Sequence, residues 1–411
     1  MNFEILNVNE SPLFDTTIAY AEKRTHPPYA SSSFNNNDEI RIPIQQQDIY
    51  TLPWYSSLHV QGKVEVRNET NVLIESPDVR FVNMGILFLF NEICLEVAGD
   101  VVDRVRNPGI MSVMKGYVTY NTGQSKALEN GGWFPKAKST LIDKTTGLFD
   151  AIIPLRTILG LCEDFKKIVL NSRQELVLVR SNTDNNALIF DDVDANARSA
   201  KVLIHKLAWR VPHISVAIKE QLKLLDVVKS ARELYIPFRS RELHEYPMLS
   251  QTQRHTWAIK SSIEKPQYIV FGLQTDRKDQ IRKDCSRFDH CNLSNIKVFL
   301  NDTVYPYDNL NINYANNHYA LLYDMFTEFQ TSFLYKDTEP IFTREEFKEL
   351  APIVVIDCSK QKEELKRSPI DIRIEFETNV VIPNKTTAYC LILHDRIAKY
   401  VPIKNIVSLV Q

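Results

Sequence analysis

The sequence predicts an all-β fold, with two antiparallel sandwich cores in one chain and short helices in the loops. Three observations predict it. Apolar and polar residues alternate over many short runs, as on strands with one buried face. Turn-forming residues separate those runs, as in sandwiches and barrels. The chain has 411 residues, 44% of them apolar and 24% charged, which is long for one hydrophobic core and suits two.

The elements follow in order. Residues 1–37 read as an amino-terminal arm, with "HPPYASSSFNNNDE" as turn and loop composition. Its lack of periodicity suits extended chain lying on the body or on a neighbouring subunit, with disorder in the isolated chain as the alternative. "EIRIPI" is the first alternating run. Pro53 and Trp54 fix a turn. In "SLHVQGKVEVRN", Leu58, Val60, Val64 and Val66 line one face and His59, Gln61, Lys63 and Glu65 the other. Gly62 continues the apolar row as a bulge or twist point. "MGILFLFNEICLEVAGDVVDRV" predicts one or two strands and "GYVTYN" a short one, while residues 121–132 read as a loop. "PLRTILGLCEDFKKIVLN" predicts a helix, with Leu155, Ile158, Leu159, Cys162 and Phe165 as its buried stripe. "QELVLVRSNTDNNALIF" and "KVLIHKLAWRV" return to strands. Pro212 punctuates the chain, and residues 212–231 read as a connector that mixes strand and helix signals, with a helical stripe of Ile218, Gln221 or Leu222, Leu225 and Val228.

The second half repeats this style. Strands are expected in "ARELYIPFRSREL", "HTWAIKSS", "PQYIVFGLQTDRK" and "SNIKVFLND". "NHYALLYDMFTEFQTSFLY" is an amphipathic helix that buries Leu321, Leu322, Met325, Phe326 and Phe329. Thr343 and Glu346 have the capping-box spacing. "APIVVIDCS" and residues 371–396 supply three more strands.

The chemistry-bearing patterns are sparse. The 11 glycines are scattered and form no phosphate-cradling loop. HExxH and GxSxG are absent from the sequence. The six cysteines read as free thiols, small core residues. Cys285 and Cys291 flank Asp289 and His290, but their spacing fits no common zinc pattern. Glu163 and Asp164 could be weighed as glycosidase carboxylates; acidic runs usually face solvent. The acidic run of Asp191, Asp192 and Asp194 lacks the glycine and distal glutamate of a calcium loop. No catalytic, cofactor or metal residues are therefore assigned. A net charge of −2 argues against strong direct nucleic-acid binding. The amino terminus lacks a secretory h-region, and "MGILFLF" is too short to span a bilayer.

Aromatics carry more signal, with 17 Tyr, 20 Phe and 4 Trp. Tyr305, Tyr307 and Tyr314 sit among Pro, Asn and Asp without a cation from 305 to 317, which suits packing or protein contact. Trp209 and Trp257 are expected to anchor the cores or the junction between them. Phe326 and Phe329 are expected to hold the 319–335 helix.

Six segments carry a family resemblance: "FDHCNLSNIKVFLNDTVYPYDNLNINYANNHYALLYDMF", "DEIRIPIQQQDIYTLP", "EDFKKIVLNSRQELVLVRSNTDNNAL", "ELYIPFRSRELHEYPML", "HTWAIKSS" and "DIRIEFETNVVIPNKTTAYCLILHDR". Together they resemble the major capsid proteins of Maverick/Polinton-like and adintovirus-like DNA viruses, over roughly residues 36–400. The resemblance implies a double jelly roll, two upright eight-stranded antiparallel β-sandwiches at 38–211 and 232–400, with a carboxy-terminal tail at 401–411. It further implies homotrimeric, pseudo-hexameric capsomers, an icosahedral shell, penton or minor capsid proteins as partners, and a place in the virion after assembly inside the host cell. The loops 119–150 and 303–318 are candidates for the outer crown. The alternative is a tandem β-sandwich that binds a ligand or receptor without catalysis.

Overall fold

The computed structural model describes residues 17–29, 34–44, 50–68, 70–74, 78–170, 172–190, 197–260, 266–360 and 370–410. The acidic run at 191–194 lies outside them.

The first half contains β1 (Ile18–His26), β2 (Glu39–Ile44), β3 (Tyr50–Thr51), β4 (Ser57–Asn68), β5 (Val79–Phe81), β6 (Phe90–Val97), β7 (Asp100–Arg106), β8 (Leu148–Pro154), β9 (Gln174–Arg180), β10 (Leu188–Phe190) and β11 (Ala197–Val216). One sheet runs β1-β11-β4-β8, with β3 also on β11; a second runs β2-β9-β6-β7; β5 and β10 form a small pair. The second half contains β12 (Leu234–Tyr246), β13 (Arg254–Ile259), β14 (Pro266–Thr275), β15 (Leu293–Leu300), β16 (Thr303–Tyr305), β17 (Val354–Asp357), β18 (Ile372–Thr378), β19 (Thr386–Val401) and β20 (Ile406–Val410). Its sheets are β12-β19-β14-β17, with β20 on β19, and β13-β18-β15-β16. All these pairings are antiparallel, and most join strands far apart in sequence. Helices α1 (Gly85–Phe88), α2 (Pro108–Thr119), α3 (Thr122–Leu128), α4 (Gly160–Asp164), α5 (Ile218–Lys229), α6 (Ala320–Leu334) and α7 (Arg344–Leu350) fill the connections.

β4 shows how alternation becomes a sheet. Leu58, Val60, Gly62, Val64 and Val66 are buried, and the intervening side chains are half-buried. The register of β11 shifts between Ile204 and Lys206, opposite Gly62. A Cβ at Gly62 would lie 2.3 Å from the Leu203 carbonyl oxygen, so the bulge demands glycine.

Several expectations are corrected. "GYVTYN" is not a strand: most of it lies in α2, all twelve residues of which are buried. Burial on every side overrides the β propensity of its Val and Tyr. Residues 121–132 are not a plain loop: Asn121 caps α3, with Gln124 closing a reciprocal capping box. Residues 85–88 are helical, not extended. The helix expected from residue 154 breaks into a 3₁₀ turn at Leu155–Thr157 and the short α4, although Leu155, Ile158, Leu159 and Cys162 are fully buried as expected. Pro212 does not end a strand. β11 runs through it, and its carbonyl accepts a hydrogen bond from the Leu52 N–H at 3.1 Å. On α5, Ile218, Leu222 and Leu225 face solvent; Leu224, Val227 and Val228 are half-buried. On α6, Leu321 is exposed while Leu322, Phe326 and Phe329 are buried. The Thr343–Glu346 capping box forms as expected.

Residues 18–26, read as part of the arm, pair along the chain's own β11. Within the expected tail, β20 extends the sheet from β19.

Candidate functional site: the junction between the sandwiches

The densest polar chemistry among the described residues lies where α4, from the first sandwich, meets β12, which opens the second. Gly160 makes this approach possible. The site is not a solvent-facing acidic run, as Glu163 and Asp164 suggested. Arg241 on β12, 2% exposed, donates to the carbonyls of Arg156, Thr157 and Ile158 at 3.0, 2.8 and 2.7 Å. Its other contact is the Glu163 carboxylate. Lys115 on α2, also buried, reaches the same carboxylate at 2.6 Å. Alongside, Arg239 grips Asp164 with a fork of two side-chain bonds, at 2.9 and 2.5 Å, and donates to it through its backbone N–H at 2.8 Å. The guanidinium of Arg239 also lies 4.1 Å from the Phe333 ring centroid.

Burial alone would raise the Glu163 carboxyl, but the charges of Lys115 and Arg241 outweigh it and hold the group at about 2. Burial, reinforced by Arg241, pushes the Lys115 ammonium down to about 8. Such a network stabilises only while every member is paired, because an unpaired buried charge is expensive. It therefore fixes the relative position of the two sandwiches.

Further contacts extend the junction. The Tyr117 hydroxyl on α2 donates to the Ser286 carbonyl at 2.8 Å, and its ring meets Phe288 and Phe342 edge-on. The Tyr400 hydroxyl on β19 donates to the Leu170 carbonyl at 2.8 Å. The Phe190 N–H donates to the Ile281 carbonyl.

The residues singled out from sequence lie at separate places in the fold. Pro53 is buried and starts a 3₁₀ turn. Trp54 is half-buried against Tyr55, with Lys166 over its ring. Trp209 is fully buried in β11, between β1 and β4. Trp257 is half-buried beside Tyr246. Tyr305 is half-buried at the end of β16, Tyr307 is 83% exposed, and Tyr314 is buried in a stack with His290 and Tyr319. Phe326 and Phe329 pack on Phe347 and Tyr268 respectively.

The residues around 285–291 are each engaged by the protein. Asp289 is held by Arg277 and the Thr275 N–H, His290 Nδ1 accepts from the Asn292 N–H, and Cys285 donates to the Arg277 carbonyl. Burial pushes the Cys285 and Cys291 thiols up to about 12 and 11. Among the described residues, no group of three His, Cys, Asp or Glu side chains is placed to hold a metal ion.

A family model described as the double jelly roll-like domain matches residues 79–398. The chain belongs to this double jelly roll-like family. The two sandwiches are thus its two rolls, and the Arg239–Arg241 cluster is the weld between them. Solved structures share the double jelly roll over nearly their full length. PBCV-1 VP54, fitted into a cryo-EM reconstruction of the virophage Sputnik, is 8% identical, with a TM-score of 0.62 over 98% of this chain and 99% of that one. A chain of the Sputnik virophage is 10% identical, with a TM-score of 0.61 over 98% and 91%. The mavirus major capsid protein is 10% identical, with a TM-score of 0.56 over 98% and 92%. At such identities the likeness is one of fold. No curated protein sequence matches the chain. Among the described residues, no helix is long and apolar enough to cross a membrane.

Proposed function

We propose that the chain is a viral major capsid protein, a shell-building component of a virion and not an enzyme. Three copies form a capsomer of pseudo-hexagonal outline, and capsomers tile an icosahedral shell with penton or minor capsid proteins. The observation that carries this reading is the weld: two rolls are joined by buried and half-buried ion pairs, and the fold of the mavirus major capsid protein matches 98% of this chain and 92% of its own. Three such two-roll bodies around a threefold axis present six similar pillars, which is what hexagonal tiling needs. A threefold contact also repeats each favourable interaction three times. In this division the first roll covers 38–211 together with the end of β11 up to Val216, the rest of 212–231 is the connector, and the second roll is 232–400. β1 and β20 are edge strands contributed by the arm and the tail. Of the aromatic candidates, Tyr307, and in part Trp54, Trp257 and Tyr305, stay open to neighbouring subunits.

Native mass spectrometry and negative-stain microscopy of the purified chain test this. The expected result is a species three times the 47.5 kDa chain mass with a six-sided outline. A chain that stays monomeric at all concentrations and in all crowding conditions overturns the reading.

A further inference from the structure

His26 and His213 lie 187 positions apart, and the fold brings their Nε2 atoms to 2.9 Å with the rings stacked. In the β1–β11 ladder His26 stands opposite Trp209 and His213 opposite Glu22. The two rings therefore lean towards each other along the ladder. An Nε2–Nε2 hydrogen bond needs one nitrogen with a proton and one without. The pair holds in its neutral form and tolerates one added proton. With both rings protonated, two N–H groups and two positive charges face each other at the same spot.

The surroundings give a second proton little help. His213 is 1% exposed, and its Nδ1 has no hydrogen-bond partner. The charged and titratable groups nearest the pair are Tyr20, Glu22, Lys23 and Arg24 on β1 and Arg210 on β11, with His205, Lys206 and Lys201 further along β11, Tyr50 on β3, and Glu39 and Arg41 on β2. Glu22, the carboxylate nearest in register, already accepts from Tyr20 and Arg24, and Arg24 adds a positive charge. Glu39 is paired with Arg41. Burial, joined by Arg24, depresses both imidazoles, His213 to about 4.

Apart from this pair, the strand is held mainly by its backbone ladder to β11. β1 is an edge strand, and none of its nine side chains is buried. Its loss exposes little apolar surface, so local opening costs far less than unfolding a roll.

We propose that His26 and His213 form an acid-sensitive latch, which keeps β1 docked on the first roll near neutral pH and lets it go when both rings are protonated. The undocked rings bind protons more readily than the docked ones. Docking is therefore complete above the ordinary histidine value of 6.5 and weakens as pH falls towards about 4. The latch stands on the geometry of one chain and does not depend on the capsid reading.

Hydrogen exchange of the full chain, followed by mass spectrometry and corrected for intrinsic exchange rates, tests the latch. Peptides covering β1 are expected to lose protection by about tenfold or more between about pH 7 and about pH 4.5, while β4 and β19 stay protected. His26→Gln keeps a neutral hydrogen-bonding side chain at a half-exposed edge position, and it should abolish most of this pH dependence. His213→Gln provides an independent second variant. The proposal is overturned if β1 opens only together with β4 and β19, or if either folded glutamine variant opens at the same pH as the parent chain.

Discussion

A Cβ placed on Gly160 would stand 1.8 Å from the carbonyl oxygen of Arg239. Gly160 belongs to α4 in the first roll and Arg239 to β12 in the second, so the two rolls touch backbone to backbone at this point. Because the obstacle is main chain, no rotamer change relieves it. Gly160→Ala is expected to push the rolls apart and cost about 3 kcal/mol or more, at the upper end of overpacking effects. Urea unfolding of the purified chain measures it; a change within about 0.5 kcal/mol, typical of a surface site, would mean that the rolls are not in direct contact here.

The same weld makes stability depend on acid. The Glu163 carboxyl is held at about 2 in the folded chain, against an ordinary value of 4.5. A depressed carboxyl stabilises fully above its unfolded value, and that contribution drains away as pH falls from about 4.5 towards about 2. Glu163→Gln should flatten this acid limb and lower stability at neutral pH by about 3 kcal/mol, since Arg241 and Lys115 lose a shared partner. Unfolding midpoints taken across the acid range, compared between parent and variant, decide the matter. Parallel curves for the two would place the acid sensitivity elsewhere.

Two tyrosines from one turn-rich segment should behave in opposite ways. Tyr314 is 2% exposed and sandwiched by His290 and Tyr319, whereas Tyr307 is 83% exposed. Tyr314→Ala is expected to destabilise the chain by about 3–5 kcal/mol, the range for a large aromatic removed from a core. Tyr307→Ala should leave unfolding within about 0.5 kcal/mol of the parent and weaken association between copies if its ring is a subunit contact. Thermal melts and sedimentation velocity separate the two effects. A stability loss at Tyr307 as large as that at Tyr314 would contradict the exposure difference.

How much was legible varies with how local each signal is. The faces of β4 follow residue by residue from its alternation, and Thr343 with Glu346 marks a helix start that the structure reproduces. The capping pair Asn121 and Gln124 was equally local, yet the surrounding glycines masked it. In the sequence α2 reads as a strand, because Val and Tyr favour strands on a half-buried surface and nothing nearby says that all sides of this segment are covered. Glu163 and Asp164 looked like solvent-facing acids because the cations that bury them, Arg239 and Arg241, come 75 and 78 positions later. His26 and His213 were hidden for the same reason.

By itself the sequence determined the all-β class, most strand positions and the inward faces, since alternation, caps and turns are set by neighbours two to four residues apart. Tertiary structure alone decided which charges are buried, where two backbones touch and which histidines meet. Desolvation and pairing energies depend on distance in space, and a strand order such as β1-β11-β4-β8 brings together groups whose separation along the chain carries no trace of it.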